Sequence, residues 1–199
     1  MSIFLQAGIL SPTRTELVMD ENLRKIAHLG IGTCIAIFVL VVEREIAVSV
    51  IGAALLAGCL LSDALRRGFQ VPVISGIIDR MERRDVVPGW GAMFFVVSAL
   101  VCVILFDTVT AFLGIFVLAV FDSLATVVGK TWGRTTVIWG KTLEGSLGGF
   151  FVTLVSLLLF VSPSTAMVTS FTAGVVELLS PVDDNLTIPL AVCLVLQVL

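Results

Sequence analysis

The sequence predicts an all-α, polytopic bundle of transmembrane helices, about seven spans with the N-terminus cytoplasmic, and three observations predict it. Hydrophobic residues make up 58% of the chain, against roughly 45–50% in soluble domains, and the mean hydropathy is +1.12. Apolar runs recur along the whole length. Basic residues gather in alternate connections between those runs. At 199 residues a single domain spanning 1–199 is expected.

In order, the apolar runs cover roughly residues 26 to 42, 46 to 62, 90 to 106, 108 to 121, 146 to 162, 164 to 180 and 186 to 199. Several fall short of the ~20 residues that cross a bilayer comfortably, so polar ends are expected to continue some helices. Residues 1–23 read as a polar or interfacial segment. Within it Met1 to Leu10 is apolar but short and lacks a basic leader, so a surface-lying or partly inserted stretch is expected rather than a secretory signal.

Arg14, Arg24 and Lys25 precede the first run; Arg66, Arg67, Arg80, Arg83 and Arg84 lie between the second and third; Lys130, Arg134 and Lys141 lie between the fourth and fifth. Seven spans put all three groups on one side. The other side receives Arg44, flanked by Glu43 and Glu45. That asymmetry is the positive-inside pattern, which assigns the N-terminus to the cytoplasm. Trp90, Trp132 and Trp139 fall at or near the same ends, where an indole sits well among headgroups. The four cysteines, Cys34, Cys59, Cys102 and Cys193, lie inside apolar runs with no close pair and read as packing residues rather than disulfide or zinc ligands. Tyrosine is absent, which excludes phenolic catalysis.

Chemistry is concentrated in the stretch from Phe121 to Gly149, FDSLATVVGKTWGRTTVIWGKTLEGSLGG, and residues 122–145 are expected to form a cytoplasmic loop. Asp122 ends an apolar run, Gly129, Gly133 and Gly140 punctuate the polar stretch after it, and Lys141-Thr142-Leu143-Glu144-Gly145 opens the next run. Glycines let backbone N–H groups approach phosphate oxygens, and a helix N-terminus adds positive potential. Lys141 supplies a point charge, while Asp122 and Glu144 suit a hard cation such as Mg²⁺. The competing reading is packing, because Gly129 and Gly133 have the four-residue spacing of close helix contacts.

Other polar groups flank this stretch. Arg24, Lys25 and His28 fall within about one helical turn, a cluster suited to gripping phosphate or anchoring the first span. Asp63 and Arg66 have the spacing of a pair on one helix face. The run from Asp79 to Asp85, which includes Glu82 and is led by Ile74, Ile77, Ile78 and Met81, reads as amphipathic and interfacial. Asp107 reads as a turn residue. Glu177 to Pro189, ELLSPVDDNLTIP, concentrates Glu177, Asp183 and Asp184 beside apolar runs. Carboxylates there need pairing, hydration or metal.

The order Asp122, Ala125, Gly129, Gly133, then Lys141-Thr142-x-Glu144-Gly145 resembles the nucleotide-binding signature of the CTP-using membrane enzymes, a group that includes the phosphatidate cytidylyltransferases and the dolichol, phytol and diacylglycerol kinases. Arg24-Lys25-x-x-His28, Asp63-x-x-Arg66 and Glu177 followed by Asp184-Asn185-x-x-x-Pro189 are similar to motifs of the kinase branch. The resemblance runs from Arg24 to Pro189. That branch usually has glycine before the aspartate, where this chain has Phe121. The glycine-, histidine- and aspartate-rich ending of the cytidylyltransferases is missing.

The resemblance implies an integral membrane enzyme, of the cell membrane or the endoplasmic reticulum, with its site at the cytoplasmic face. It would transfer phosphoryl from CTP to the hydroxyl of a membrane lipid alcohol. Dolichol or another polyprenol is expected first, with phytol, geranylgeraniol or diacylglycerol as further acceptors. Lys141, Thr142, Gly129, Gly133, Gly145 and Asn185 would hold the nucleotide. Asp122, Glu144, Glu177 and Asp184 would hold Mg²⁺. Arg24 and Lys25 would stabilise the transferring phosphoryl, and a carboxylate, Asp122 or Asp184, or His28 would take the hydroxyl proton, with Asp63, Arg66 and Glu82 in support. Nucleic acid is not an expected partner. The alternatives are a CDP-lipid synthase, which the central signature allows, and a small transporter.

Overall fold

The computed structural model describes residues 14–69 and 89–199, with side chains from residue 21 onward. Among the described residues the helices are α1 (Arg14–Val41), α2 (Arg44–Arg66), α3 (Trp90–Leu105), α4 (Thr108–Trp132), α5 (Leu143–Leu157), α6 (Pro163–Leu179) and α7 (Asp184–Val198). Each predicted apolar run therefore holds one helix. The fold is all-helical among the described residues, apart from one isolated β-bridge between Thr136 and Thr142. Glu82, the charged run around it and Met1 to Leu10 lie outside the described residues.

Three boundaries differ from the apolar runs. Helix α1 begins at Arg14, so the polar stretch from Arg14 to residue 23 is its first turns and not a separate segment. Helix α4 runs on to Trp132, which puts Asp122, Ala125 and Gly129 inside a helix where a loop over 122–145 was expected. At 1.5 Å per residue α4 continues roughly 15 Å beyond Asp122. Helix α5 stops at Leu157. The loop proper is Gly133 to Thr142.

Glu21–Val41 of α1, Arg44–Arg66 and Thr108–Trp132 are long and apolar enough to cross a membrane. Helices α3, α5 and α7 are apolar but have 16, 15 and 15 residues, a rise of about 23 Å against a hydrocarbon core of ~30 Å.

Helix α4 is the axis of the bundle. In its apolar window 72% of residues are buried, against 22% for α1 and 17% for α2, and α1, α3, α5, α6 and α7 all pack on it. Where hydrocarbon lies outside helices as well as between them, burial of apolar area gives them little reason to associate, and close packing at small residues takes over. Gly32 of α1 meets α4 at Ala119, where a Cβ on the glycine would come within 2.6 Å of the alanine Cβ. Gly114 faces the Pro189 carbonyl and Cys193 of α7. Gly145 and Gly149 of α5 lie against Ala125.

Helices α4 to α7 start at capping side chains. The Asp107 side chain accepts hydrogen bonds from the N–H groups of Val109 (3.0 Å) and Thr110 (3.1 Å), so it is the N-cap of α4 and more than a turn residue. Hydrogen bonds from Thr110, side chain and backbone, and then Val109 hold its carboxyl below the usual range. Thr142 caps α5, Ser162 caps α6 with Pro163 in its first turn, and Asp183 caps α7.

Candidate functional site

Polar side chains collect where α1, the C-terminal half of α4, the start of α5, the end of α6 and the start of α7 meet. Lys25 is 7% exposed and Asp122 7%, and Lys25 Nζ donates to Asp122 Oδ2 at 2.5 Å. A charge this deep requires an opposite charge, because removing an ion from water costs several kcal/mol (order of magnitude). His28 Nε2 lies 3.5 Å from the same Asp122 oxygen, beyond a good hydrogen bond. Its ring meets Phe95 of α3 edge-on at 5.1 Å. Lys25 and His28, with Gly32, Ala36 and Val39 further along, form the stripe of α1 that turns toward α4. Arg24 pairs with Glu21 at 2.6 Å, a partner one turn earlier that the apolar pattern did not single out, while its charge still acts on Asp122 and His28.

A second cluster is centred on Lys141. Trp139 (φ 55°) and Gly140 (φ 77°) both occupy the left-handed region, which makes the two-residue turn of a tight hairpin. Lys141 N–H donates to the Ile138 carbonyl at 3.0 Å and Val137 N–H to the Lys141 carbonyl at 2.8 Å. The turn directs Lys141 inward, where Nζ meets both Asp184 oxygens at 2.8 and 2.7 Å, the Glu177 carbonyl and Glu177 Oε1 at 3.6 Å. Ser146 Oγ donates to Glu177 Oε2 at 2.8 Å. Ser146 was not among the expected site residues, although it lies one turn after Thr142 on the same helix face.

The two clusters adjoin. Asp183 interacts electrostatically with His28, and Asp122 with Asp184. Asp184 stands ahead of the apolar part of α7. Burial pushes its carboxyl up to about 6 in spite of Lys141, and the negative charges of Asp122 and Glu177 push the same way. Asn185 Nδ2 donates to Asp183 Oδ1 at 2.8 Å. Among the described residues Arg24 Nε, His28 Nε2 and Asn185 Oδ1 are buried polar atoms without a hydrogen-bond partner, the condition that a bound polar ligand would relieve.

Several expected roles change. Gly129, Gly133 and Gly145 do not form an open phosphate cradle. A Cβ on Gly129 would come 2.7 Å from Thr142 Oγ1, and one on Gly145 2.5 Å from the Ala125 carbonyl oxygen. Their backbone groups are engaged too: Gly133 N–H donates to the Gly129 carbonyl at 3.0 Å and Gly145 N–H to Thr142 Oγ1 at 3.2 Å. These glycines allow α4 and α5 to cross closely, with Thr142 wedged between them.

Glu144 is likewise committed. Its carboxylate accepts from Arg134 N–H (3.1 Å), Thr135 N–H (3.1 and 3.2 Å) and Thr135 Oγ1 (3.0 Å), which ties the 133–142 loop to α5. Hydrogen bonds from its own N–H, then from Thr135 and Arg134, hold its carboxyl at about 2. Asp63 pairs at 2.8 Å with Arg67, not with Arg66. That pair is exposed at the end of α2 and touches none of the groups above.

Among the described residues no three acidic, histidine or cysteine side chains converge as a ready metal cage. Mg²⁺ is usually held by one or two carboxylates together with substrate phosphates. Asp184 and Asp122, with Glu177 behind them, have the hard oxygen donors for that. Glu144, turned onto the loop, does not fit.

No family model and no solved structure matches the chain. It is 32% identical over 185 residues to the uncharacterized protein MJ1137 of Methanocaldococcus jannaschii, a match covering 90% of this chain and 94% of that protein. Near-complete coverage at that identity means the chain belongs to the same family as MJ1137.

Proposed function

We propose that this protein is a CTP-dependent lipid kinase, transferring the γ-phosphoryl group to the hydroxyl of a membrane lipid alcohol, a polyprenol such as dolichol first. One observation carries the reading. Lys25 and His28, Asp122, Lys141 and Asp184 come from four helices or loops far apart in sequence, and they make up adjoining clusters of paired charge with unsatisfied polar atoms beside them.

In the proposed topology the chain crosses the membrane about seven times with a cytoplasmic N-terminus, and the site opens to the cytoplasmic face. A nucleotide then arrives from water while the lipid hydroxyl stays at the interface. The acceptor oxygen forms a bond to the γ-phosphorus, the bond from that phosphorus to the β,γ-bridging oxygen breaks, and CDP leaves with the electron pair. The hydroxyl proton passes to Asp122 or to His28 beside it. Lys141 and Arg24 bind the triphosphate, and Lys25 holds Asp122 in place. Mg²⁺ arriving with the nucleotide would be held by Asp184 and Asp122 and would supply charge neutralisation. Such reactions depend on alignment and electrostatics more than on covalent help.

CTP labelled separately at its α- and γ-phosphates tests the proposal on purified protein given a panel of lipid alcohols. Transfer of the γ label to lipid is the expected result. Transfer of the α label to a phosphorylated lipid would mark a CDP-lipid synthase. No transfer to any alcohol would reject the kinase.

A further inference from the structure

We propose that the hydrocarbon chain of the acceptor lies in an apolar cleft between α1, α2 and α3, its hydroxyl end at His28. The proposal rests on the lipid-kinase reading and specifies where that substrate is held. The cleft has a volume of about 630 Å³ and is lined by Ala27, Ile31 and Cys34 of α1, Val50 of α2 and Val96 of α3, among other apolar residues. A smaller cleft of about 250 Å³ continues between α2 and α3 and shares Ala54 and Val96 with the first.

Two features of the sequence make the cleft. On α1 the stripe Ala27, Ile31, Cys34 and Phe38 is displaced around the helix from the stripe that packs on α4, so one helix serves both surfaces. Helices α1 and α2 are joined by a two-residue turn yet touch little, which leaves a gap open to the side. Gly30 stands in that gap: a Cβ added there meets nothing within 4 Å.

The surroundings identify the occupant. An apolar cleft stays dry, and one open sideways to a bilayer fills with hydrocarbon. Its polar end decides which hydrocarbon. Ala27 adjoins His28 in sequence, and Phe95, next to Val96 of the lining, has its ring against His28. The hydroxyl end of a chain in the cleft would thus lie toward His28, which is 3.5 Å from Asp122.

Cys34 reports on the cleft directly. It lines the cleft and is exposed, Cys102 and Cys193 are buried, and Cys59 is the other exposed thiol. In full-length Cys59→Ser protein in nanodiscs, the rate of Cys34 modification by a membrane-permeant maleimide is measured with geranylgeraniol and with the same chain lacking the hydroxyl. At a tenfold excess over its dissociation constant, the alcohol is expected to slow labelling about tenfold, and the hydrocarbon far less. Gly30→Phe, which fills the cleft from within, is expected to raise the alcohol concentration needed for protection about tenfold, a change of about 1.4 kcal/mol.

Unchanged labelling in a preparation that phosphorylates the alcohol overturns the cleft and leaves the kinase standing. Equal slowing by alcohol and hydrocarbon, or an unaltered midpoint in Gly30→Phe, also overturns it. Protection specific to the alcohol without phosphoryl transfer upholds the cleft and removes the kinase.

Discussion

Lys25 and Asp122, separated by 97 positions in sequence, meet at 2.5 Å between α1 and α4, both side chains less than a tenth exposed. Neither charge is tolerable there without the other. Lys25→Met and Asp122→Leu are each expected to destabilise the protein by about 3–5 kcal/mol, and the double variant by less than the sum. Thermal unfolding in detergent reads this out, and additive losses would show the pair to be uncoupled. Asp122→Asn is expected to lower turnover by about 100-fold or more if the carboxylate takes the hydroxyl proton.

Asp184 gives a pH signature. Its folded value of about 6 lies above the usual 3.8, so the folded state binds the proton more tightly than the unfolded state does. The resulting stability is complete below pH 3.8 and is lost as pH rises through about 6. Melting temperatures of wild type and Asp184→Asn, compared from about pH 3.5 to 7.5, should therefore converge or cross as the wild type loses ground. Parallel curves would mean that Asp184 titrates normally.

Glu144 separates loop anchoring from metal binding. Its carboxyl, held at about 2 against a usual 4.5, keeps the loop tied above pH 4.5 and releases it only as pH falls toward 2. Glu144→Gln should speed amide exchange at Arg134 and Thr135 while leaving the Mg²⁺ requirement within about twofold. Asp184→Asn should raise that requirement by about tenfold or more. The reverse ranking would restore Glu144 as a ligand.

The glycines give a packing test. Gly145→Ala drives a Cβ against the Ala125 carbonyl and is expected to cost about 1–3 kcal/mol, with or without nucleotide. Gly30→Ala, whose Cβ enters open space, should stay within about 0.5 kcal/mol. A Gly145→Ala protein of normal stability and weakened CTP binding would reinstate the phosphate cradle.

Much of the fold was legible in the linear pattern. Seven apolar runs became seven helices because unbroken apolarity is a local property, and capping residues stand in the sequence at the starts of α4 to α7. The residue types that pair at the site were legible as well, since a carboxylate or ammonium set into apolar surroundings demands a partner wherever it falls.

The partner's identity was not legible. Whether Asp122 meets Lys25 or Lys141, whether Arg24 faces Asp122 or Glu21, and whether Glu144 faces a metal or the Arg134–Thr135 backbone depend on the rotation of each helix about its own axis. The same holds for Gly129, Gly133 and Gly145, whose spacing suits a phosphate cradle and a helix crossing equally well in one dimension. By itself the sequence determined where helices run and which groups cannot be left alone. The packing of α1, α5, α6 and α7 onto α4 decided which of those groups touch, because rotation and approach distance are set by contacts between segments that local periodicity does not contain.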